Sequence, residues 1–307
     1  MGLTILQIIF LLLGGMPLFD TLCNTFGTAG TGGFAIKNTS IGAYHNAYYE
    51  GVITVFMILF GINFNMYYFL FIRDFKSVFK NEELRTYLGV ILISILCITI
   101  NILSIYHGNV LTSFRYASFQ VGSIITTTGY SSIDYSVWPT FSRMIIFLLT
   151  IMGASAGSTG GGVKVSRILI IVKKIKLDIQ KLIHPQKVEA ITMDGKVVDS
   201  DIVNQIMSYF CCFIIIVGVC LFLVSLNNFD FETTVTAVIT CIGNVGPGFG
   251  LCGPMGNFSM FSDFSKIVLS FAMLIGRLEI YPIIIFLFPL FRLGSIPKII
   301  NRRKKRS

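Results

Sequence analysis

Three short stretches rich in glycine and threonine stand out in an otherwise apolar chain: "GTGGFA" (30–35), "TTTGYS" (126–131) and "GNVGPG" (243–248). Gly33, Gly129 and Gly246 occupy equivalent places in these stretches. Glycine allows backbone dihedral angles that point successive carbonyl oxygens the same way, and such oxygens can replace the water shell of a cation. The stretches therefore predict cation sites made of backbone, with close-packing points between helices as the alternative.

Each of these stretches follows a short apolar segment that lies between two longer apolar runs. The long runs are 51–72, 86–106, 141–152 with 163–172, 202–226 and 265–291. The short segments are 17–30, 111–126 and 229–242. A helix needs about 20 apolar residues to cross a membrane, so the short segments cannot cross. The order of span, short helix, glycine-rich turn and span occurs three times, and we predict that each short helix is re-entrant.

The composition is typical of a protein with several membrane spans. Of the 307 residues 54% are hydrophobic and 13% are charged, and the mean hydropathy is +0.77. The net charge is +9, and 18 of the 24 Lys and Arg residues fall in three segments: 73–85, 167–196 and 292–307. Basic residues are enriched in cytoplasmic loops. We therefore predict that residues 73–85, 173–200 and 292–307 are cytoplasmic, and that the basic residues face anionic lipid or a cytosolic partner and not nucleic acid.

The two ends of the chain carry different signals. The start lacks a basic region and a small-residue cleavage site, so no cleaved signal peptide is expected. Its first apolar run, 3–13, has only 11 residues, and we expect that upstream sequence is missing. The basic tail "NRRKKRS" (301–307) is predicted to be a cytoplasmic, lipid-facing anchor.

Small and charged residues also interrupt the apolar runs. "GASAGSTGGGVK" (153–164) breaks the second span of the middle unit, and a lipid-facing helix would not tolerate it without internal partners. Lys164 follows this stretch, and Arg277 lies in the last span. Cations at membrane depth are costly and usually functional. The alternatives are a buried Arg277–Glu279 pair and a lysine that reaches the interface.

Enzyme motifs are not completed in this sequence. "GASAG" (153–157) fits the hydrolase pattern G-x-S-x-G, but an apolar span precedes it and the three histidines lie elsewhere. In "GSTGGGVK" (157–164) Val163 separates the glycine from the lysine, so a phosphate-binding loop is not formed. The seven cysteines lack C-x-x-C spacing, which predicts packing roles and neither disulfides nor a metal site. We expect no enzymatic activity.

Four stretches together resemble the TrkH-type membrane subunit of the Trk/Ktr superfamily of potassium transporters: "FGTAGTGGF" (26–34), "TTTGYS" (126–131), "GNVGPGFG" (243–250) and "GRLEIYP" (276–282). The resemblance covers essentially the whole chain. It implies an all-α polytopic membrane protein whose span–re-entrant pore helix–span units surround a pseudo-fourfold pore, with three of four units present here.

The resemblance also divides the chain into units. Residues 1–80 correspond to the second repeat with its first span truncated, and 81–175 to the third repeat with an intramembrane gating loop at 153–164. Residues 176–200 correspond to a cytoplasmic linker, and 201–307 to the fourth repeat with a basic tail. The first repeat, with its own filter strand, is absent.

The function implied by the resemblance is potassium uptake across the bacterial inner membrane by a multi-pass protein. Potassium is the substrate, and no cofactor is implied. The predicted selectivity filter binds potassium through the backbone carbonyls of Thr31, Gly32, Gly33, Thr127, Thr128, Gly129, Asn244, Val245 and Gly246. The predicted gating residues are Gly157, Ser158, Thr159, Gly160, Gly161, Gly162, Lys164 and Arg277.

Partners are implied in the same way. They are the lipid bilayer, a second copy in a homodimer, and a cytosolic nucleotide-binding regulatory subunit of the TrkA/KtrA type. The alternative is a truncated, non-conducting remnant or an accessory membrane protein of the same family.

Overall fold

A computed structural model describes residues 1–184 and 190–278, and helices dominate it. In chain order the helices are α1 (Gly2–Leu13), α2 (Leu18–Ala29), α3 (Ala47–Phe60), α4 (Phe64–Phe71), α5 (Phe75–Lys80), α6 (Glu82–Ile102), α7 (Val110–Ile125), α8 (Thr140–Met152), α9 (Val165–Ile183), α10 (Ser200–Val224), α11 (Phe231–Gly243) and α12 (Asp263–Leu278). Strands β1 (Thr192–Met193) and β2 (Lys196–Val197) form an antiparallel hairpin between α9 and α10. The predicted all-α class is confirmed.

Three short helices lie in the three predicted short segments. They are α2, α7 and α11, with 12, 16 and 13 residues. A rise of about 1.5 Å per residue makes them about 18 to 24 Å long, which is less than the roughly 30 Å of a bilayer's hydrocarbon core. Each of them ends at one of the glycine-rich turns.

The long helices present apolar side chains on their outer surfaces. Among the described residues, the helical stretches Glu82–Ile102 and Ser200–Asn227 are long and apolar enough to cross a membrane, and the bent pair α3–α4 is a third candidate. Ile100 on α6 and Phe222 on α10 are 69% and 73% exposed. The short helices instead bury polar side chains, among them Thr21, Asn24, Thr25 and Thr28 on α2 and Thr233, Thr236 and Thr240 on α11. Polar groups inside and apolar groups outside suit a lipid environment.

The apolar run 51–72, predicted as a span, is not one straight helix. The chain bends by 90° between α3 and α4. At the break the Gly61 carbonyl accepts from Ser155 N–H at 3.1 Å, and Phe64 N–H donates to the Gly157 carbonyl at 3.1 Å. The Asn63 side chain caps α4 by accepting from the Asn65 N–H. Peptide groups that a straight helix would have satisfied internally are therefore satisfied by the segment 153–164.

The second span of the middle unit is interrupted where the sequence indicated. Helix α8 ends at Met152, and the next residue, Gly153, has a φ of 71° and a ψ of −169°, which belong to glycine-only backbone. Helix α9 then continues to Ile183 and so occupies the first part of the predicted linker 176–200. The last predicted run, 265–291, is described only as far as α12 reaches, and Glu279 lies outside the described residues.

Candidate functional site

The three glycine-rich turns share one backbone conformation. Each has a left-handed residue and, two positions later, a left-handed glycine. The φ angles are 49°, 57° and 55° at Thr31, Thr127 and Asn244, and 64°, 82° and 103° at Gly33, Gly129 and Gly246. Glycine adopts such angles easily, whereas for a β-branched threonine they are rare. The sequence predicts unusual dihedral angles at the glycines, but it does not indicate them at the threonines or the asparagine.

This conformation arises from the way in which each short helix ends. The middle residue of each turn donates its N–H to a carbonyl five residues back: Gly32 to Gly27 at 2.8 Å, Thr128 to Ser123 at 2.9 Å, and Val245 to Thr240 at 2.9 Å. The left-handed residue before it donates to a carbonyl three residues back, and the two bonds together form a Schellman ending. The negative end of each helix dipole therefore lies at a turn, where it favours a cation.

The turns pack against one another in sequence order. A Cβ atom added at Gly33 would lie 1.9 Å from the Thr128 carbonyl oxygen. A Cβ atom at Gly129 would lie 1.9 Å from the Val245 carbonyl oxygen. No larger residue fits at either glycine without moving the neighbouring turn. The structure thus brings the predicted filter residues together in one arc.

The arc is open on one side in the part of the chain that the structure describes. A Cβ at Gly246 would meet no described atom within 4 Å. A cavity of about 610 Å³ lies beside it, between Gly30–Gly32 of the first turn and Asn244–Gly246 of the third. Phe34 at the rim is 84% exposed. The third glycine therefore lacks the neighbour that the other two have among the described residues.

The segment 153–164 lies directly below the turns. Gly161 N–H donates to Thr127 Oγ1 at 2.6 Å, and Thr31 Oγ1 lies 2.9 Å from the Thr159 carbonyl. A Cβ added at Gly161 would be 2.6 Å from the carbonyl oxygen of Gly243, the last residue of α11. One segment therefore contacts all three turn regions.

The two predicted gating cations lie beside this segment. The Lys164 ammonium donates to the Gly160 carbonyl, and Arg277 Nη2 donates to the Gly30 carbonyl at 3.3 Å. Both line a polar cavity of about 350 Å³ together with Gly157–Gly162 and Arg167. The structure thus gathers the predicted gating residues at one place.

Glu83 is a site residue that the sequence does not reveal. Its side chain is 4% exposed, and Oε1 accepts from the Ala156 N–H at 2.6 Å. This hydrogen bond therefore holds the segment 153–164 at Ala156 against the start of α6. An acidic residue at the start of a span is an ordinary surface signal in a sequence, so only the fold shows this contact.

The family follows from comparison with known proteins. Residues 1–291 match TrkH, a family of cation transport proteins. The chain belongs to the TrkH family. The Trk system potassium uptake protein TrkG of Escherichia coli (strain K12) is 34% identical over 276 residues, which are 89% of this chain and 56% of TrkG. The Trk system potassium uptake protein TrkI of Halomonas elongata is 33% identical over 94% of this chain and 59% of TrkI.

A solved structure of the TrkH family agrees with the fold. The crystal structure of the potassium transporter TrkH from Vibrio parahaemolyticus matches with a TM-score of 0.87 at 29% identity and covers 94% of this chain. The match includes 62% of that chain, so the present chain spans about three fifths of its relative. The resemblance to TrkH-type membrane transport proteins is confirmed, as is the expectation that the chain is not an enzyme.

Proposed function

We propose that this chain forms most of the ion pathway of a potassium uptake protein. The observation that carries the proposal is the shared backbone of the three turns, in which two left-handed positions recur in register. Three close-packing glycines would not need the same pair of angles, whereas a ring of carbonyl ligands would. The nine predicted filter residues are the proposed ligands, through their backbone oxygens.

Potassium is the proposed ion because of how the carbonyls are held. Selectivity depends on the number and field strength of carbonyl dipoles around the ion. A Cβ at Gly33 or Gly129 would lie 1.9 Å from a carbonyl oxygen of the next turn, so each of these two carbonyls packs closely against a neighbouring backbone. The names of TrkG and TrkI as potassium uptake proteins support the same ion.

The segment 153–164 is the proposed gate, with Lys164 and Arg277 as its charged components. It lies across the space below the turns. Its backbone groups form hydrogen bonds with side chains and with the turns, and water could replace these partners when the segment moves. Opening would move the segment away from Thr127 and Thr31. Two cations near the path would oppose passage of a third while the gate is closed.

The open side of the arc is the proposed place of a fourth unit of the same kind. The units proposed here are 1–80, 81–175 and 201–307, with 176–200 as a cytoplasmic linker. By analogy with Gly33 and Gly129, Gly246 would pack on a carbonyl of that fourth turn. We further propose an inner-membrane, multi-pass location, a homodimer and a cytosolic nucleotide-binding regulator.

The test is rubidium uptake with sodium as competitor in a bacterium deficient in potassium uptake, with the chain assembled with a fourth unit. Gly129→Ser should lower the preference for potassium over sodium, since the serine Cβ would displace the Val245 carbonyl oxygen that lies 1.9 Å from its position. The left-handed backbone adds a cost of about 1–2 kcal/mol. Even part of this cost should change the competition between potassium and sodium measurably, because a free-energy difference of about 1.4 kcal/mol changes an equilibrium constant by a factor of ten.

Gly218→Ser is the matched control, because a Cβ there meets nothing within 4 Å. It should leave ion preference alone. Transport by Gly129→Ser with unaltered preference would refute the filter. No uptake by any assembly containing a folded chain would favour the alternative of a non-conducting accessory protein.

A further inference from the structure

The side chain at the first left-handed position of each turn reaches the elements below the turns. Thr127 Oγ1 accepts from the Gly161 N–H at 2.6 Å. The Thr31 hydroxyl lies 2.9 Å from the Thr159 carbonyl and 2.7 Å from the Gly30 carbonyl. Asn244 Nδ2 donates to the Met273 carbonyl of α12 at 3.1 Å. Two of these three side chains therefore contact the segment 153–164, and the third contacts α12.

The choice of residue at these positions is not explained by the turn itself. A Schellman ending places a left-handed residue after the helix, and glycine is the usual choice there. Threonine is a conformational outlier at that position, and strained backbone persists only where surrounding contacts hold it. Thr127 is fully buried and Thr31 is 3% exposed. Their hydroxyl contacts with 153–164 are what a glycine could not supply.

The contacts also satisfy the segment below. At membrane depth an irregular backbone must find its hydrogen-bond partners within the protein. Gly161 N–H donates to the Thr127 hydroxyl of the second turn. The single hydroxyl proton of Thr31 in the first turn is shared between the Thr159 carbonyl and the Gly30 carbonyl. The segment therefore forms hydrogen bonds with the turns of two different units.

We propose that Thr127 and Thr31 are latch residues that hold the segment 153–164 in its blocking position. The inference rests on the proposed function, in which the turns are a filter and the segment is its gate. The two threonines are positioning residues for the gate, in addition to the ion ligands that their backbone supplies. Displacement of the segment breaks both hydroxyl contacts, so the state of the gate depends directly on the filter turns.

Loss of one hydroxyl removes a hydrogen bond that only the closed state makes. Closing is then less favourable by roughly three- to tenfold in the equilibrium. Thr127→Val removes the hydroxyl and keeps the shape, whereas Thr127→Ser keeps the hydroxyl. Thr25→Val is the matched control, since Thr25 is fully buried on α2 and its hydroxyl has no hydrogen-bond partner within the described residues.

The decisive measurement is hydrogen–deuterium exchange of the peptide that contains 153–164, with the full chain in lipid nanodiscs. Exchange should rise by roughly three- to tenfold in Thr127→Val and in Thr31→Val. It should stay at the wild-type level in Thr127→Ser and Thr25→Val. If Thr127→Val does not fold, Thr127→Gly removes the hydroxyl without the left-handed strain and should also raise exchange.

Unchanged exchange in both hydroxyl-free variants overturns the latch, whatever the transport result. Rubidium uptake by the assembly with a fourth unit is measured in parallel and should rise with exchange. Faster exchange in a chain whose assembly never takes up rubidium supports the latch and counts against the proposed function, so the two failures are distinguishable.

Discussion

At the scale of single residues, Arg277 is one of the two proposed gating cations. Its guanidinium donates to the Gly30 carbonyl at 3.3 Å, at the edge of the first turn. Two unit charges about 10 Å apart at an effective dielectric of about 20 repel by about 1.7 kcal/mol. If the proposed gate is correct, a fixed cation here raises the barrier for a passing one.

Arg277→Ala should raise rubidium uptake by up to about tenfold, because it removes this repulsion. The measurement is initial uptake at equal membrane expression. Arg277→Lys keeps the charge and should show little gain. Equal uptake by all three proteins would mean that Arg277 has a packing role only.

The same scale shows how far a residue can be interpreted from sequence. Gly33, Gly129 and Gly246 are equivalent in the repeat, and the left-handed angle at each follows from glycine's freedom. Yet only two of them lie against a neighbouring turn of the described chain. That difference depends on which units are adjacent in space, and the sequence around each glycine contains no information about it.

At the scale of elements, the break between α3 and α4 and the segment 153–164 form one structure. They exchange two backbone hydrogen bonds, and Glu83 at the start of α6 fixes the segment from below. The sequence revealed the segment because its small residues interrupt an apolar run. It did not reveal the break, because the backbone groups that bond to Gly61 and Phe64 belong to Ser155 and Gly157, about 95 residues further along the chain.

Gly61→Ala should destabilise the protein by about 1–3 kcal/mol, which is typical of overpacking. The new Cβ would lie 2.2 Å from Tyr87 Oη, and Tyr87 is fully buried. Thermal melting followed by size-exclusion chromatography in detergent measures the effect. Gly51→Ala on the same helix meets nothing within 4 Å and should melt like the wild type or slightly higher. Equal melting of both variants would show that the break has room to relax.

At the scale of the whole molecule, the period of apolar runs and glycine-rich turns was enough to predict three repeated units. What could not be predicted is how the units meet, because contacts between them depend on side chains far apart in sequence. Asp194 of the β-hairpin accepts from Asn81 Nδ2 at 2.7 Å and from Glu82 N–H at 2.7 Å. The Lys173 ammonium pairs with the Glu82 carboxylate. Two of the three basic segments therefore lie on the same side of the molecule.

That shared side should be the cytoplasm, which gives a test of the entire topology. Basic residues are retained on the cytoplasmic side during insertion, and two spans per unit place 73–85, 173–200 and 292–307 together there. In a variant without the seven native cysteines, single cysteines at the exposed positions Lys37, Val137 and Asn257 should react with an impermeant maleimide on intact cells.

A cysteine at Lys196, exposed on β2, should react only after the membrane is permeabilised. Lys37, Val137 and Asn257 lie in the three different units, and Lys196 lies in the hairpin that joins two of them. Labelling of position 196 on intact cells would show that the predicted topology is inverted. An ion entering the cell would then meet the segment 153–164 before the turns. Labelling of Val137 but not of Asn257 would instead break the equivalence of the second and third described units, because each external loop must follow a re-entrant helix if the repeat is real.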